Sequence, residues 1–175
     1  MFNIGLRETL RDILHRYHQL GDRKFRDLDL RKADLHGARL AEADFRKANF
    51  KKANLSQTDL SHINGYKVNL AETNLRQAFL GKAVLYEASL ERANAYRATL
   101  VGADLNRANV RDANLSHANL ESARLEGADL THANLYWANL RHADLHQAKL
   151  NGANLTGAKF CQTRMPDGTV RNDHC

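Results

Sequence analysis

A five-residue period runs through this chain from residue 23 to residue 165 and leaves few ways to fold it. Between Phe25 and Phe160 there are 28 positions at multiples of five, and 25 of them hold Leu or Phe. The exceptions are Gly65, Ala95 and Val110. Two residues before each, 22 of the 28 positions hold Ala; the others are Arg23, Leu28, Thr58, Ile63, Val68 and Thr73. No insertion shifts the phase. Within a unit such as Ala103-Asp104-Leu105-Asn106-Arg107, Ala and Leu sit two apart and share one face of an extended chain. Five is odd, so an unbroken strand throws the next Ala to the opposite face. A helix fits no better, because five residues advance about 500°, or about 140° net, and smear the apolar stripe around the cylinder. Short extended pieces with a corner in every unit, coiled into a tube, are what remains. Arg23 apart, the inward positions carry no charge, as a dry interior requires.

The units Ala53-Asn54-Leu55, Ala113-Asn114-Leu115 and Ala153-Asn154-Leu155 spell Ala-(Asp/Asn)-Leu-X-X. In this pattern the chain resembles the pentapeptide-repeat family from about residue 23 to 165. The resemblance implies an all-β fold, a right-handed quadrilateral β-helix with four units per coil. That hand agrees with the general rule for parallel crossovers. The 28 units then make about seven coils, a tube about 34 Å long at about 4.8 Å per coil. Asn and Asp before most centres bond their own backbone and tolerate unusual dihedrals, which suits them to the corners. Gly65 is expected to leave a hole between Phe45 and Leu85, offset by the extra bulk of Ile63. Ala95, beside Ala93, has no such compensation and reads as a soft spot.

The chain divides into a helical cap (1–21), the solenoid (22–165) and a turn with a tail (166–175). Leu6, Leu10, Ile13, Tyr17 and Leu20 form one apolar stripe on a short α-helix that Gly21 stops. It is expected to cap the first coil; it is short for a dimerising coiled coil, and its charges are mixed for a membrane-surface helix. Open solenoid ends invite edge-on association, so a monomer or an end-to-end dimer is expected. At the other end Pro166-Asp167-Gly168 spells a turn with Pro at its second position. The tail beyond is polar and expected to cap less well.

Arg7, Glu8, Arg11 and Asp12 break any signal-peptide core, and no apolar stretch is long enough for a membrane span. Cys161 and Cys175 are the only cysteines and form no CxxC pair. They indicate neither a disulfide scaffold nor a zinc site, Cys161 is expected to be a bystander thiol, and a cytoplasmic location is expected. The nine His residues scatter over different columns, with His62 and His142 four coils apart. No Ser/His/Asp set, phosphate loop or recessed carboxylate pair emerges, so no catalytic, metal or cofactor site is expected and the chain does not read as an enzyme.

Outward aromatics are more suggestive. Tyr66 and Tyr86 fall in one column above Arg46, and Tyr136 and Trp137 lie on another side with Tyr96. The formal net charge of +6 is concentrated early: residues 22–52 hold ten Lys and Arg against six Asp and Glu. Register stacks Arg31 under Lys51, Lys32 under Lys52 and Arg26 under Arg46, with Lys47 alongside. These seven residues are the candidate site for an anionic partner. The expected function is a protein-binding or scaffold module, the default for solenoids. Nucleic-acid binding through the basic coils is the alternative. Some members of the family resemble B-DNA and bind DNA gyrase in its place, but that needs a strongly acidic surface, which this chain lacks.

Overall fold

The computed structural model describes Gly21 and residues 23–175. The helical cap expected over 1–21 falls, Gly21 apart, outside the described residues. From Lys24 onward, parallel bridges join residue i to residue i+20, beginning with Lys24 to Asp44 and ending with Asp144 to Arg164. One coil is therefore twenty residues, four units, and the ladder from Lys24 to Arg164 spans seven such steps.

The backbone explains why each position of the unit holds what it does. In the unit around Leu100, Ala103 N–H donates to Leu100 O at 3.0 Å and closes a turn. Leu100 N–H and Gly102 N–H donate to Asn119 O and Glu121 O in the next coil, and Asp104 N–H donates back to Ala83 O. The remaining donor, on the first corner residue, meets the side chain two residues before it: Arg111 N–H donates to Asn109 Oδ1 at 3.2 Å. Where Asn or Asp precedes the centre, every N–H of the unit can thus find an acceptor. Ala is small enough to sit inside the turn, Leu fills the tube, and Asn or Asp supplies the last acceptor.

That assigns Asn and Asp a different place from the one expected. They stand on the flat faces, and the strained dihedral belongs to the second corner residue. All 28 second corner positions, from Asp27 to Gln162, have φ between 50° and 70°, as the turn's third residue requires. Only five of these are Gly; the rest include Lys, Arg, His and Gln. Asn side chains also stack along the column that starts at Asp34. Asn54 Nδ2 donates to Asp34 Oδ1 and Asn74 Nδ2 to Asn54 Oδ1, both at 2.9 Å.

The interior is dry and filled. Ala and Leu positions from Leu35 to Leu145 are almost wholly buried, and Phe25 stacks on Phe45, which meets Phe50 edge-on. The inward hydroxyls of Thr58 and Thr73 donate to Leu35 O and Leu70 O, so neither is orphaned. Gly65 leaves no hole. A Cβ there would come 3.0 Å from Leu85 Cδ2 and 3.1 Å from Val68 Cγ1, so Leu85 and Val68 have closed the space. Ala95 is buried and its N–H keeps the ladder bond to Asn114 O at 2.8 Å, so the backbone shows no soft spot there.

The C-terminal tail differs most from expectation. Gly168 N–H donates to Met165 O around Pro166, and β1 (Thr163–Arg164) pairs antiparallel with β2 (Val170–Arg171). The hairpin carries the tail back to the solenoid, where Cys175 forms a disulfide with Cys161. Cys161 is thus no bystander thiol. The spacing of 14 residues hid the pair, because only the hairpin brings the two Cα atoms to 4.9 Å. Gln162 N–H donates to Asn172 Oδ1, His174 N–H to Phe160 O, and the Arg171 guanidinium lies 3.9 Å from the Phe160 ring centroid.

Two tests follow from this packing. Gly65→Leu restores the repeat's commonest residue, yet it should destabilise the protein by roughly 1–3 kcal/mol through overpacking. A denaturant midpoint equal to or above wild type would sink the packing argument. Most of residues 167–175 are exposed and bury little, so the disulfide should dominate the tail's attachment, at about 3 kcal/mol for a loop of this size. On reduction, or in Cys175→Ser, amide exchange at Gln162 and Arg171 should accelerate while the ladder from Leu35 to Leu135 stays protected. Unchanged exchange at those two amides would overturn this.

Candidate interaction surface

Outward side chains one coil apart stand directly over one another, so the corners carry continuous columns. The edge through Arg76, Tyr96, Ser116 and Tyr136, with Arg97, His117 and Trp137 beside them, is the most connected. The Arg76 and Arg97 guanidinium carbons lie 4.8 and 5.2 Å from the Tyr96 ring centroid. Tyr96 meets His117 edge-on at 5.5 Å, and His117 meets Tyr136 at 5.7 Å. Tyr136 in turn meets Trp137 at 6.3 Å. Tyr136 and Trp137 are 40% and 51% exposed.

Trp137 is costly in two ways. Its φ is 55°, the left-handed conformation of every second corner, which costs roughly 1–2 kcal/mol for any residue with a Cβ. Its indole also occupies the space above: a Cβ on Gly157 would come 2.7 Å from Trp137 Nε1. A larger residue at 157 would require the indole to shift. What sets Trp137 apart from the other corners is a large indole left half exposed, with much of its apolar surface unburied by the fold.

Phe79 stands on the adjoining flat face and is 51% exposed. It occupies a position where Asn or Asp is usual, and with Gln57, Gln77, Arg97 and Thr99 it lines a shallow groove. Sequence reasoning missed it because attention fell on the corners. The signal was there: a large apolar residue immediately before an inward Leu must point outward.

A second aromatic column lies where expected. Tyr66 stacks on Tyr86 at 6.0 Å, with Lys67 over Tyr66 and Arg107 over Tyr86. Lys67 is held above its ordinary pKa by hydrogen bonding to Tyr66 and then to Glu87.

The seven basic candidates are brought together on the first coils, but mostly as ion pairs. Arg26 and Arg46 converge on Asp44 at 2.6 and 2.8 Å, and Arg31 grips Asp29 at 2.6 Å. The side-chain hydrogen bond from Arg31 holds the Asp29 carboxyl below its usual range. Lys51 and Lys52 share Glu72 at 3.1 and 3.3 Å, and hydrogen bonding, chiefly from Lys51, lowers the Glu72 pKa. Glu72 belongs to the coil above, which is why counting charges over residues 22–52 overlooked it. Among the described residues only Lys32 and Lys47 of the seven have no carboxylate partner. No cluster of three or more His, Cys, Asp or Glu among the described residues could hold a metal ion, and no helix there is long and apolar enough to cross a membrane.

Comparison with known proteins agrees with the geometry. The family model for pentapeptide repeats matches in 8 copies, over residues 24–64, 66–100, 96–131, 108–147 and 128–165. Among solved structures, the plasmid-mediated fluoroquinolone resistance protein QnrB1 is 19% identical with a TM-score of 0.54, over 81% of this chain and 70% of that one. HetL from the cyanobacterium Nostoc sp. strain PCC 7120, a pentapeptide repeat protein involved in heterocyst differentiation regulation, is 30% identical with a TM-score of 0.27. It aligns over 94% of this chain and 100% of its own. A pentapeptide repeat protein of the Arabidopsis thaliana thylakoid lumen is 26% identical, with a TM-score of 0.43, over 85% of this chain and 72% of that one. No curated protein matches.

Because every second corner is left-handed, Trp137→Gly should raise stability by roughly 1 kcal/mol, the strain relieved by a residue without a Cβ. Gly127→Ala, at an equivalent corner with φ 65° and ample room, should lower it by a similar amount. Urea midpoints measure both, and a marked loss of stability in Trp137→Gly would contradict the assignment.

Proposed function

We propose, from the premise that this chain belongs to the pentapeptide-repeat family, that it is a non-enzymatic solenoid that docks a protein partner along the edge formed by Tyr96, Tyr136 and Trp137. The observation that carries the reading is Trp137 itself, a half-exposed indole set edge-on against the exposed Tyr136 ring. Tyr, Trp and Arg are also the residues enriched where protein interfaces concentrate their energy. Phe79 supports the same side of the molecule: it forgoes the Asn acceptor that the corner after it would otherwise use, and presents an exposed ring instead.

Docking of an anionic partner or nucleic acid on the basic first coils is the weaker reading. Of its seven cations, five already hold carboxylates, and exposed pairs of this kind contribute about 0–1 kcal/mol. DNA mimicry towards gyrase is weaker still on a chain of net charge +6. The likeness to QnrB1 speaks for the fold.

Quantitative affinity capture from the native host, comparing wild type with Trp137→Ala and with Lys51→Glu/Lys52→Glu, separates the readings. The aromatic edge requires Trp137→Ala to cost the captured partner about 2 kcal/mol or more, some 30-fold in affinity. The lysine variant should bind normally. The reverse pattern would transfer the function to the basic coils, and normal binding by both would remove it from either surface.

A further inference from the structure

We infer that the segment received by the aromatic edge is acidic and extended, placing a carboxylate on Arg76 and Arg97 and an apolar side chain against Tyr136 and Trp137. This rests on the docking reading above and adds the chemistry of the partner.

The charge distribution is the first support. The columns either side of this edge carry carboxylates only in the first coils, at Asp34 on one side and at Asp59, above Arg39, on the other. From residue 73 upward, the outward positions of the edge and both flanking faces hold no carboxylate. One face presents Asn74, Asn94, Asn114, Asn134 and Asn154; the other presents Phe79, Thr99, Asn119, Asn139 and Lys159. The other edges mix both signs. None of the chain's 20 Asp and Glu stands at these positions from residue 73 upward, while Arg76, Arg97 and Lys159 do, so this stretch of the side is cationic.

Arg76 and Arg97 are the second support. Among the described residues neither has an ion-pair partner, and both guanidinium groups rest on the Tyr96 ring. Contact with the ring places the two guanidinium groups close together, and among the described residues neither donates a hydrogen bond, so their N–H groups remain for a carboxylate, which Arg can grip bidentately. The arginines of the basic coils are spent on Asp29 and Asp44; these two are not.

Magnitudes decide the class of partner. Two arginines neutralise two phosphates, which for single-stranded nucleic acid gives a log–log salt slope of only about −1.4. A polyanion needs more cations than this edge offers, whereas one or two carboxylates are matched. Tyr96 and Tyr136 stand two coils apart, roughly 10 Å at the spacing of β-ladders. An acidic residue and an apolar residue three apart in an extended chain span that distance, at about 3.1–3.4 Å per residue.

Trp137 is the chain's single tryptophan, so its emission reports on this edge alone. The full-length protein is titrated with short peptides bearing Asp or Glu three residues from Leu, with the same peptides carrying Lys for the acids, and with oligothymidylate. Far-UV circular dichroism checks that Arg76→Glu/Arg97→Glu, both outward changes, remains folded. The acidic peptides should perturb Trp137 emission with at least about tenfold lower Kd than the Lys peptides, and the double charge reversal should invert that preference. Silence with every probe, tighter binding of oligothymidylate, or undiminished acidic-peptide binding by the folded variant each overturns the inference. The docking reading is judged separately: a partner captured through Trp137 yet retained by Arg76→Glu/Arg97→Glu leaves the edge in place and removes only the acidic segment.

Discussion

The turn that closes every unit is the constraint on which the rest depends. Its hydrogen bond, from the inward Ala N–H to the carbonyl of the preceding Leu or Phe, reverses the odd-period drift and keeps both apolar residues inside. It also forces the second corner residue into the left-handed region, 28 times in succession. At roughly 1 kcal/mol or more for each residue with a Cβ, this strain is large when summed. It is sustained because each unit keeps its ladder and turn hydrogen bonds and buries its inward side chains, and neighbouring coils repeat the arrangement. Stability here is distributed, as in other solenoids, where each repeat leans on its neighbours.

A tube built this way separates its two surfaces. Inward positions are bound to Ala and Leu by the width of the coil, and departures are absorbed locally, as Val68 and Leu85 absorb Gly65. Outward positions are free of that constraint, and residues twenty apart become neighbours. Aromatic and cationic side chains can then form columns such as Arg76, Tyr96 and Tyr136 without any one unit departing from the fold. The same freedom makes an exposed Trp137 informative, because the corner fixes the backbone dihedral and leaves the choice of outward side chain open.

Much of the candidate surface was legible once twenty-residue stacking was assumed. The columns of Tyr66 and Tyr86, and of Tyr96 with Tyr136 and Trp137, follow from counting. What was not legible was which charges are spent. Lys51 and Lys52 look like an open patch until Glu72 is seen between them. Arg76 and Arg97 look ordinary until both are found on one ring. Side-chain direction at a corner depends on neighbours in the coils above and below, and no local pattern encodes it.

By itself the sequence determined the period, the inward residues and the need for one corner per unit, because a strict apolar repeat of five admits no helix and no straight strand. The tertiary structure decided where the strain falls, how the Gly65 site is filled and that Cys161 pairs with Cys175. Each of these depends on contacts between residues distant in sequence: twenty apart for stacked coils, fourteen for the disulfide. Such contacts exist only once the turns have set the pitch, and that geometry, rather than the identity of any one residue, turned separate Arg, Tyr and Trp positions into one surface.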